Sequence, residues 1–303
     1  MGFRASALLF LAILLVSFPL TESYADPQSD AETLIQAENA LPHSDLSARL
    51  ELVSQSFLGK PYLVGGPLGE GPIAKYDQDP LFRFDGFDCT TFIETTLALA
   101  LSHDFPEFFG KLLKLRYQNG LVSFTTRNHF VELDWNPNNI AAGYFVDRTL
   151  DIGTSADQSI AVQNFSKRAW YQALPLSSLK LPGLAPALLE TRLNELHQEG
   201  EAFADVTSQL PYLKKSSLLA LRQALPVPAV LNIVRQLPSA KANVMVRVTH
   251  QVLLLTVNSE LHVRAASSRA QVMRVIDLPY EAYVQSLIDS PSTLGVNVLQ
   301  VSH

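Results

Sequence analysis

Apolar positions recur at helical spacing in two early segments, 31–40 and 46–57, and predict two amphipathic helices. Leu46, Leu50, Leu52, Val53 and Phe57 form the stripe of the second. The chain then turns at Gly59-Lys-Pro61, and the stretch 62–72 holds too much glycine and proline for a regular element. Helical spacing returns after Cys89, where Phe92, Ile93, Leu97, Ala100 and Leu101 share a face. Asp88, Thr90 and Thr91 suit a helix start there, and Gly86 loosens the approach. A further short helix is predicted over 105–117, followed by a β pair over 121–126 and 129–135, which Pro137, Asn138 and Asn139 interrupt. Weaker strand patterns cover 144–150 and 161–165. A helix over 186–200 carries proline in its first turn and glycine at its end, and 216–225 predicts another.

The last third changes to β pattern, with strands over 230–234, 244–257, 261–265 and 272–276 and a polar turn at Asn258-Ser259. A helix over 280–288 is expected to close the chain. Helices, then the Cys89 helix, then an antiparallel sheet make an α+β arrangement. One domain over 45–303 is expected, after a polar and helical lead-in over 26–44, with an insertion at about 150–226 packed beside the core.

Composition narrows the setting. The 303 residues carry a net charge of −6 with no basic block, which argues against a nucleic-acid partner. The N-terminus has one basic residue, Arg4, a short apolar run over 5–19 and a small-x-small end, Ser23-Tyr-Ala25. These are the parts of a secretory signal peptide, with cleavage expected after Ala25. A retained anchor helix is the alternative, although the run is short for a span. The mature protein is therefore expected in the periplasm or outside the cell, with no membrane attachment after cleavage. An exported chain with a single cysteine forms no internal disulfide and no multi-thiolate zinc site. An unpaired thiol is a liability in an oxidising compartment, so its retention points to a chemical role.

That thiol, Cys89, is expected at a helix N-terminus, where free N–H groups and partial positive charge stabilise a thiolate. The bland reading is a small buried apolar residue. A nucleophilic thiol needs a base, usually an imidazole. Of the seven histidines, His43, His103, His197 and His303 lie in polar or terminal surroundings. His250 shares strand parity with Val244, Val246 and Val248, a face expected to pack on the Cys89 helix. His262 falls on the opposite parity from Leu261, Val263 and Ala265 and is expected to point away. His129 lies in a segment that also holds Arg127, Asn128, Glu132, Asp134 and Trp135, a mixture suited either to recognising a polar, anionic ligand or to a solvated hairpin.

Taken together, these residues resemble the NlpC-type, papain-like superfamily of cell-wall cysteine peptidases and amidases. Phe57-Leu-Gly-Lys-Pro-Tyr-Leu-Val-Gly-Gly66 resembles the family's "G-x-P-Y-x-x-G-G" lead-in, and Phe87-Asp-Cys-Thr-Thr-Phe92 its nucleophile motif. Thr249-His-Gln-Val-Leu-Leu-Leu255 stands in the place of the base strand, and Leu261-His-Val-Arg-Ala-Ala-Ser-Ser268 is similar to the strand after it, from Asp45 onward in one order. "F-D-C-T-T-F" with "R-x-H-F…D-W" downstream is similar to the N-acetylmuramoyl-L-alanine amidase-like branch. That resemblance implies cleavage between the muramyl lactyl group and L-alanine in peptidoglycan fragments, among them 1,6-anhydromuropeptides.

The resemblance implies Cys89 as nucleophile and His250 as base, with no metal or organic cofactor. Tyr62 would help bind the oxyanion, and Asp88, Arg127, Asn128, His129, Asp134 and Trp135 would bind substrate or orient the site. Two departures stand out. Gln251-Val252 follows His250, where the family has an apolar residue and glycine. Ala265 occupies the position that commonly orients the catalytic imidazole, which leaves that task to Asn128, His129 or Asp134, or slows turnover. The alternatives are a γ-D-glutamyl–diaminopimelate endopeptidase and a non-catalytic muropeptide-binding module.

Overall fold

A computed structural model describes residues 26–41, 45–65, 68–236 and 246–302. The expected signal segment 1–25 and the first residues of the expected 244–257 strand lie outside the described residues. Four helices come first: α1 (Pro27–Asn39), α2 (Leu46–Ser56), α3 (Cys89–Ala100) and α4 (Phe105–Arg116). A short helix α5 (Asn136–Ala141), strands β1 (Phe145–Asp147) and β2 (Gln158–Ser166), and helices α6 (Lys167–Gln172) and α7 (Pro186–Gly200) follow. The chain ends with β3 (Asp205–Lys214), β4 (Ala229–Arg235), β5 (Val248–Val257), β6 (Glu260–Ser267), β7 (Arg274–Pro279), α8 (Tyr280–Ile288) and β8 (Thr293–Val301).

The strands form one antiparallel sheet in the order β2-β3-β8-β4-β5-β6-β7, with β1 on β8. The fold is α+β. Helix α3 lies against β5 and β6 and is flanked by α1, α2 and α4. Every residue from Thr91 to Ala100 is buried, because helices cover the sides of α3 that the sheet does not. Phe92, Ile93 and Leu97 join Val230, Leu253, Leu255 and Leu299 in one core, while α8 closes a second core on the other sheet face with Leu231, Val252, Leu254 and Val298.

Three expectations are corrected. Strand β8 follows α8, so the 280–288 helix is not the last element among the described residues. Its glycine and asparagine hide the strand pattern, and both have tertiary reasons. A Cβ on Gly295 would collide with the Leu213 carbonyl of β3. Asn297 is fully buried and accepts from Asn232 at 2.9 Å while donating to Asp147 and Thr149 at 2.9 Å.

The β pair expected over 121–126 and 129–135 is a 3-10 turn at Phe124–Thr126 and a π-helical turn at Val131–Trp135 that runs into α5. Pro137 opens that helix, where its missing N–H costs nothing, rather than breaking a strand. The helix expected over 216–225 is two separate 3-10 turns, Lys215–Ser217 and Arg222–Ala224. The region expected as an insertion supplies β2 and β3, and β3 joins the main sheet through β8.

The lead-in to Cys89 is held from both sides. Tyr62 N–H donates to Met273 O at 2.9 Å, Leu63 N–H to Phe87 O at 2.9 Å, and Phe87 N–H to Pro61 O at 3.0 Å. Gly86 is required at this crossing, since a Cβ would sit 2.7 Å from Leu63 Cγ and 2.9 Å from the Pro61 carbonyl. Phe87 packs on Phe57 with ring centroids 4.7 Å apart and on Phe92 at 6.0 Å, which ties the turn to α2 and α3.

Candidate active site

Helix α3 begins with a reciprocal cap. Asp88 Oδ1 accepts from Thr91 N–H at 2.7 Å, and Thr91 Oγ1 accepts from Asp88 N–H at 2.9 Å. This leaves Cys89 as the first helical residue, partly exposed, with its sulfur beside the sheet. Thr90 Oγ1 lies 4.0 Å from Sγ, and the Gln251 and Thr90 backbones act on the thiol in favour of its ionised form. The backbone of β5 at Gln251 is therefore near the sulfur.

The placing of His250 differs from simple strand parity. Val234 pairs with Val248 and Ile233 with His250, so Thr249 is an extra residue in β5. Such a bulge re-aims side chains and is frequent beside active sites. Past the bulge the strand is apolar on both faces. Leu253 and Leu255 face α3, whereas Val252 and Leu254 face the α8 core. The expectation that the Val248 face packs on α3 is thus corrected, since Val248 belongs to a small cluster with Ala161, Leu210 and Val234. His262 pairs its Nδ1 with Asp277 Oδ2 at 2.7 Å and sits opposite Leu255, five residues along β5 from His250.

Electrostatics correct the thiolate expectation. Burial pushes the Cys89 thiol up to about 11, and the Asp88 carboxylate pushes the same way, outweighing the Gln251 and Thr90 backbones. Burial pushes His250 down to about 4, reinforced by the positive charges of Arg235 and Arg269. Both the thiol and the imidazole are therefore neutral near neutral pH. Arg235 is fixed beside the bulge by its Nε donating to Thr249 Oγ1 at 2.7 Å, and Arg269 Nη2 donates to Ser286 at 2.9 Å. Tyr62 is pushed up to about 12 by burial, then by Cys89 and Asp88, and stays a phenol that can donate a hydrogen bond. Tyr283 of α8 is buried within the field of Cys89, Arg235 and Arg269; nothing in its local sequence marks it.

A cavity of about 220 Å³ is lined by Asp88, Thr90, Thr91 and Glu94 at the start of α3 and by Arg116, Arg127, Asn128 and His129; Cys89 and His250 are not among its lining residues. Of the residues expected to bind substrate, Asp88, Arg127, Asn128 and His129 line this cavity. Trp135 does not: it is fully buried, donates from Nε1 to Glu94 Oε1 at 3.1 Å and packs on Phe145. Asp134 is paired with Lys167 and lines a separate small pocket. His129 Nε2 donates to the Phe124 carbonyl at 2.7 Å, and burial holds the ring at about 3. Asn128 donates to Leu115 O at 2.9 Å and accepts from Asn138 at 2.6 Å. These bonds commit Asn128, His129 and Asp134 elsewhere, and the charged groups about His250 are Arg235 and Arg269. Ala265 is buried among apolar side chains of the α8 core.

The Asp88 charge can be separated from its cap. Asparagine caps a helix as well as aspartate does. Asp88→Asn is expected to keep the fold and lower the Cys89 pKa below that of the parent protein, read from thiolate ultraviolet absorbance against pH. An unchanged thiol pKa would remove the carboxylate from the account.

A family model described as AmiA-like, N-acetylmuramoyl-L-alanine amidase-like, matches residues 52–289. No curated protein matches the chain. A solved Legionella pneumophila structure assigned to the family DUF1460 is 31% identical, covers 91% of this chain and 94% of its own, and superposes with a TM-score of 0.84. A Bacteroides uniformis structure named as an N-acetylmuramoyl-L-alanine amidase is 20% identical over 86% of this chain and 99% of its own, with a TM-score of 0.56. A Bacteroides fragilis structure, named by assignment only as a xylanase, is 21% identical over 82% and 99%, with a TM-score of 0.57. At these identities the two Bacteroides likenesses carry the fold alone.

Proposed function

We propose, for a chain that belongs to the AmiA-like, N-acetylmuramoyl-L-alanine amidase-like family, that it is an exported cysteine amidase of peptidoglycan fragments with an NlpC-type, papain-like core. The bond cut is the amide between N-acetylmuramic acid and L-alanine, with 1,6-anhydromuropeptides as the substrate class. The observation that carries this reading is Cys89 at the first position of α3, between Asp88 and Thr90, which line a polar cavity, and near the backbone of Gln251, the residue after His250.

Cys89 Sγ attacks the amide carbonyl while the neutral His250 imidazole takes the thiol proton, so no charged pair has to exist beforehand. The Gln251 N–H, near the sulfur, and the Tyr62 hydroxyl are the donors for the oxyanion. His250 then returns the proton to the leaving amine, and water releases the acyl group from sulfur. Arg235 and Arg269 disfavour imidazolium, which speeds the return of that proton.

Incubation of the purified protein with an anhydromuropeptide, read by mass spectrometry, tests the bond assignment. Release of the intact peptide stem is expected. A stem cut within its peptide would assign an endopeptidase instead, and unaltered fragment bound to the protein would assign a binding module.

A further inference from the structure

Two arginines place their charge on His250. Arg235, the last residue of β4, donates from Nε to Thr249 Oγ1 at 2.7 Å and from Nη1 to Ser292 Oγ at 2.8 Å, with the Thr293 and Ser290 hydroxyls at 3.3 and 3.4 Å from Nη1. Arg269, between β6 and β7, donates from Nη2 to Ser286 Oγ at 2.9 Å. Every side-chain partner is a hydroxyl. Among the described residues neither guanidinium comes within ion-pair distance of a carboxylate, whereas Arg49, Arg116, Arg127 and Arg264 each do. The acids of α8 and its exit are engaged elsewhere: Glu281 pairs with Arg222, and Asp289 accepts from Gln285 at 2.8 Å. In a chain of net charge −6, two positive groups are thus left unbalanced beside the candidate base. They also reach the surface: Arg269 is exposed, and Arg235 and His250 are partly so. Ser286 and Ser290 are four residues apart, so the two side chains are tethered about 6 Å from one another along α8, at 1.5 Å per residue. Ser268, next to Arg269 in the chain, acts on the Tyr62 phenol.

We infer that Arg235 and Arg269 receive a free carboxylate of the peptide that leaves, so that this chain selects its substrates by charge on the leaving side of the cleaved amide. The side rests on the amidase reading. His250 returns its proton to the leaving amine, so the peptide departs past that ring, and the two arginines act on the same ring. The acyl side has no anion to offer, because the lactyl carboxyl of the sugar is the one tied up in the amide. Every free carboxylate of such a fragment is therefore on the peptide. Arginine suits the task, since its planar fork presents parallel N–H donors to the two oxygens of a carboxylate. Hydroxyl tethers fix the direction of each fork without neutralising it, which leaves the charge for the ligand. A carboxamide in the same place brings no charge and turns an N–H₂ group toward one donor, a mismatch that polar sites reject strongly.

The test uses the full chain carrying Cys89→Ala, so that ligand survives, and two synthetic 1,6-anhydro-N-acetylmuramoyl dipeptides whose second-residue carboxyl groups are free in one and carboxamides in the other. Calorimetry is expected to show the free-carboxylate ligand bound about tenfold or more tightly. Adding Arg269→Gln, which removes an exposed side chain bonded to a single hydroxyl, is expected to cut that preference about threefold or more, and Arg269→Lys, which keeps the charge, to restore part of it. Arg235 braces the bulge at Thr249, so Arg235→Gln is scored only with folding checked by circular dichroism, and Arg269→Gln decides the matter if it unfolds. Equal affinities in the Cys89→Ala protein, binding of neither ligand, or a preference untouched by Arg269→Gln would each overturn the inference. With Cys89 in place, Arg269→Gln should raise KM for the free-carboxylate substrate with kcat little changed and leave KM for the carboxamide where it was. A general defect of folding would move both substrates alike. Cleavage of both ligands without a binding preference leaves the amidase reading standing and removes the arginine pair from recognition. An arginine-dependent preference without cleavage by the parent protein keeps the carboxylate site and removes the amidase reading.

Discussion

Cys89→Ala is expected to lower release of peptide from an anhydromuropeptide by about 10⁴-fold or more, the range seen when a covalent nucleophile is removed from a hydrolase. The loss should lie in kcat, with KM little changed, because the sulfur supplies the bond that forms and contributes little to holding the ground state. The fold should survive. The helix start is held by the Asp88–Thr91 cap and by the pairing of Leu63 with Phe87, neither of which uses the thiol. Thermal unfolding of the variant within a few degrees of the parent, alongside the lost rate, would assign the effect to chemistry. Retention of more than about a hundredth of the parent rate would show that Cys89 does not attack the substrate, given how much nucleophile loss costs elsewhere.

Much of the frame around that sulfur was legible because local signals agreed with tertiary demands. The Asp88 cap and the spacing from Phe92 to Leu101 state a buried helix, and α3 is one. The run over 280–288 matches α8 at both ends. Legibility failed where burial overrode local pattern. In β8, Gly295 is set by contact with β3 and Asn297 by a buried amide cluster, so the strand carries turn-like residues in its interior. Around Trp135, packing against Phe145 and a hydrogen bond to Glu94 draw a strand-like sequence into a π-helical turn. The face on which His250 lies depends on the Thr249 bulge, which no period-two count contains. Arg116 escaped notice for a related reason. At the end of α4 it reads as an ordinary basic residue complementing the helix dipole, and only the fold sets it against Glu94, which heptad-like spacing alone would place in solvent or core without a partner.

The pH dependence follows from the same burial and gives the second large effect. With the imidazole held at about 4 and the thiol at about 11, the neutral pair persists across the range between them. Lowering pH through about 4 protonates His250 and removes the proton acceptor, so the rate should fall there; above it the parent protein should show a plateau. His250→Ala changes the requirement. Without an imidazole, only the fraction of Cys89 already ionised can attack, and at pH 7, with the thiol near 11, that fraction is about 10⁻⁴. The variant is therefore expected to lose about 10³-fold or more at neutral pH, the intrinsic reactivity of the thiolate making up part of the difference. Its rate should then rise about tenfold per pH unit toward 11, where the parent is flat, because each unit ionises ten times more thiol. Stopped assays from pH 5 to 10 on both proteins distinguish the cases. A parent profile that climbs with the variant's slope would mean that His250 does not take the proton, and the thiol would have to be activated by another group of this site, with Asp88, Tyr62 and Tyr283 as the titratable groups in its field.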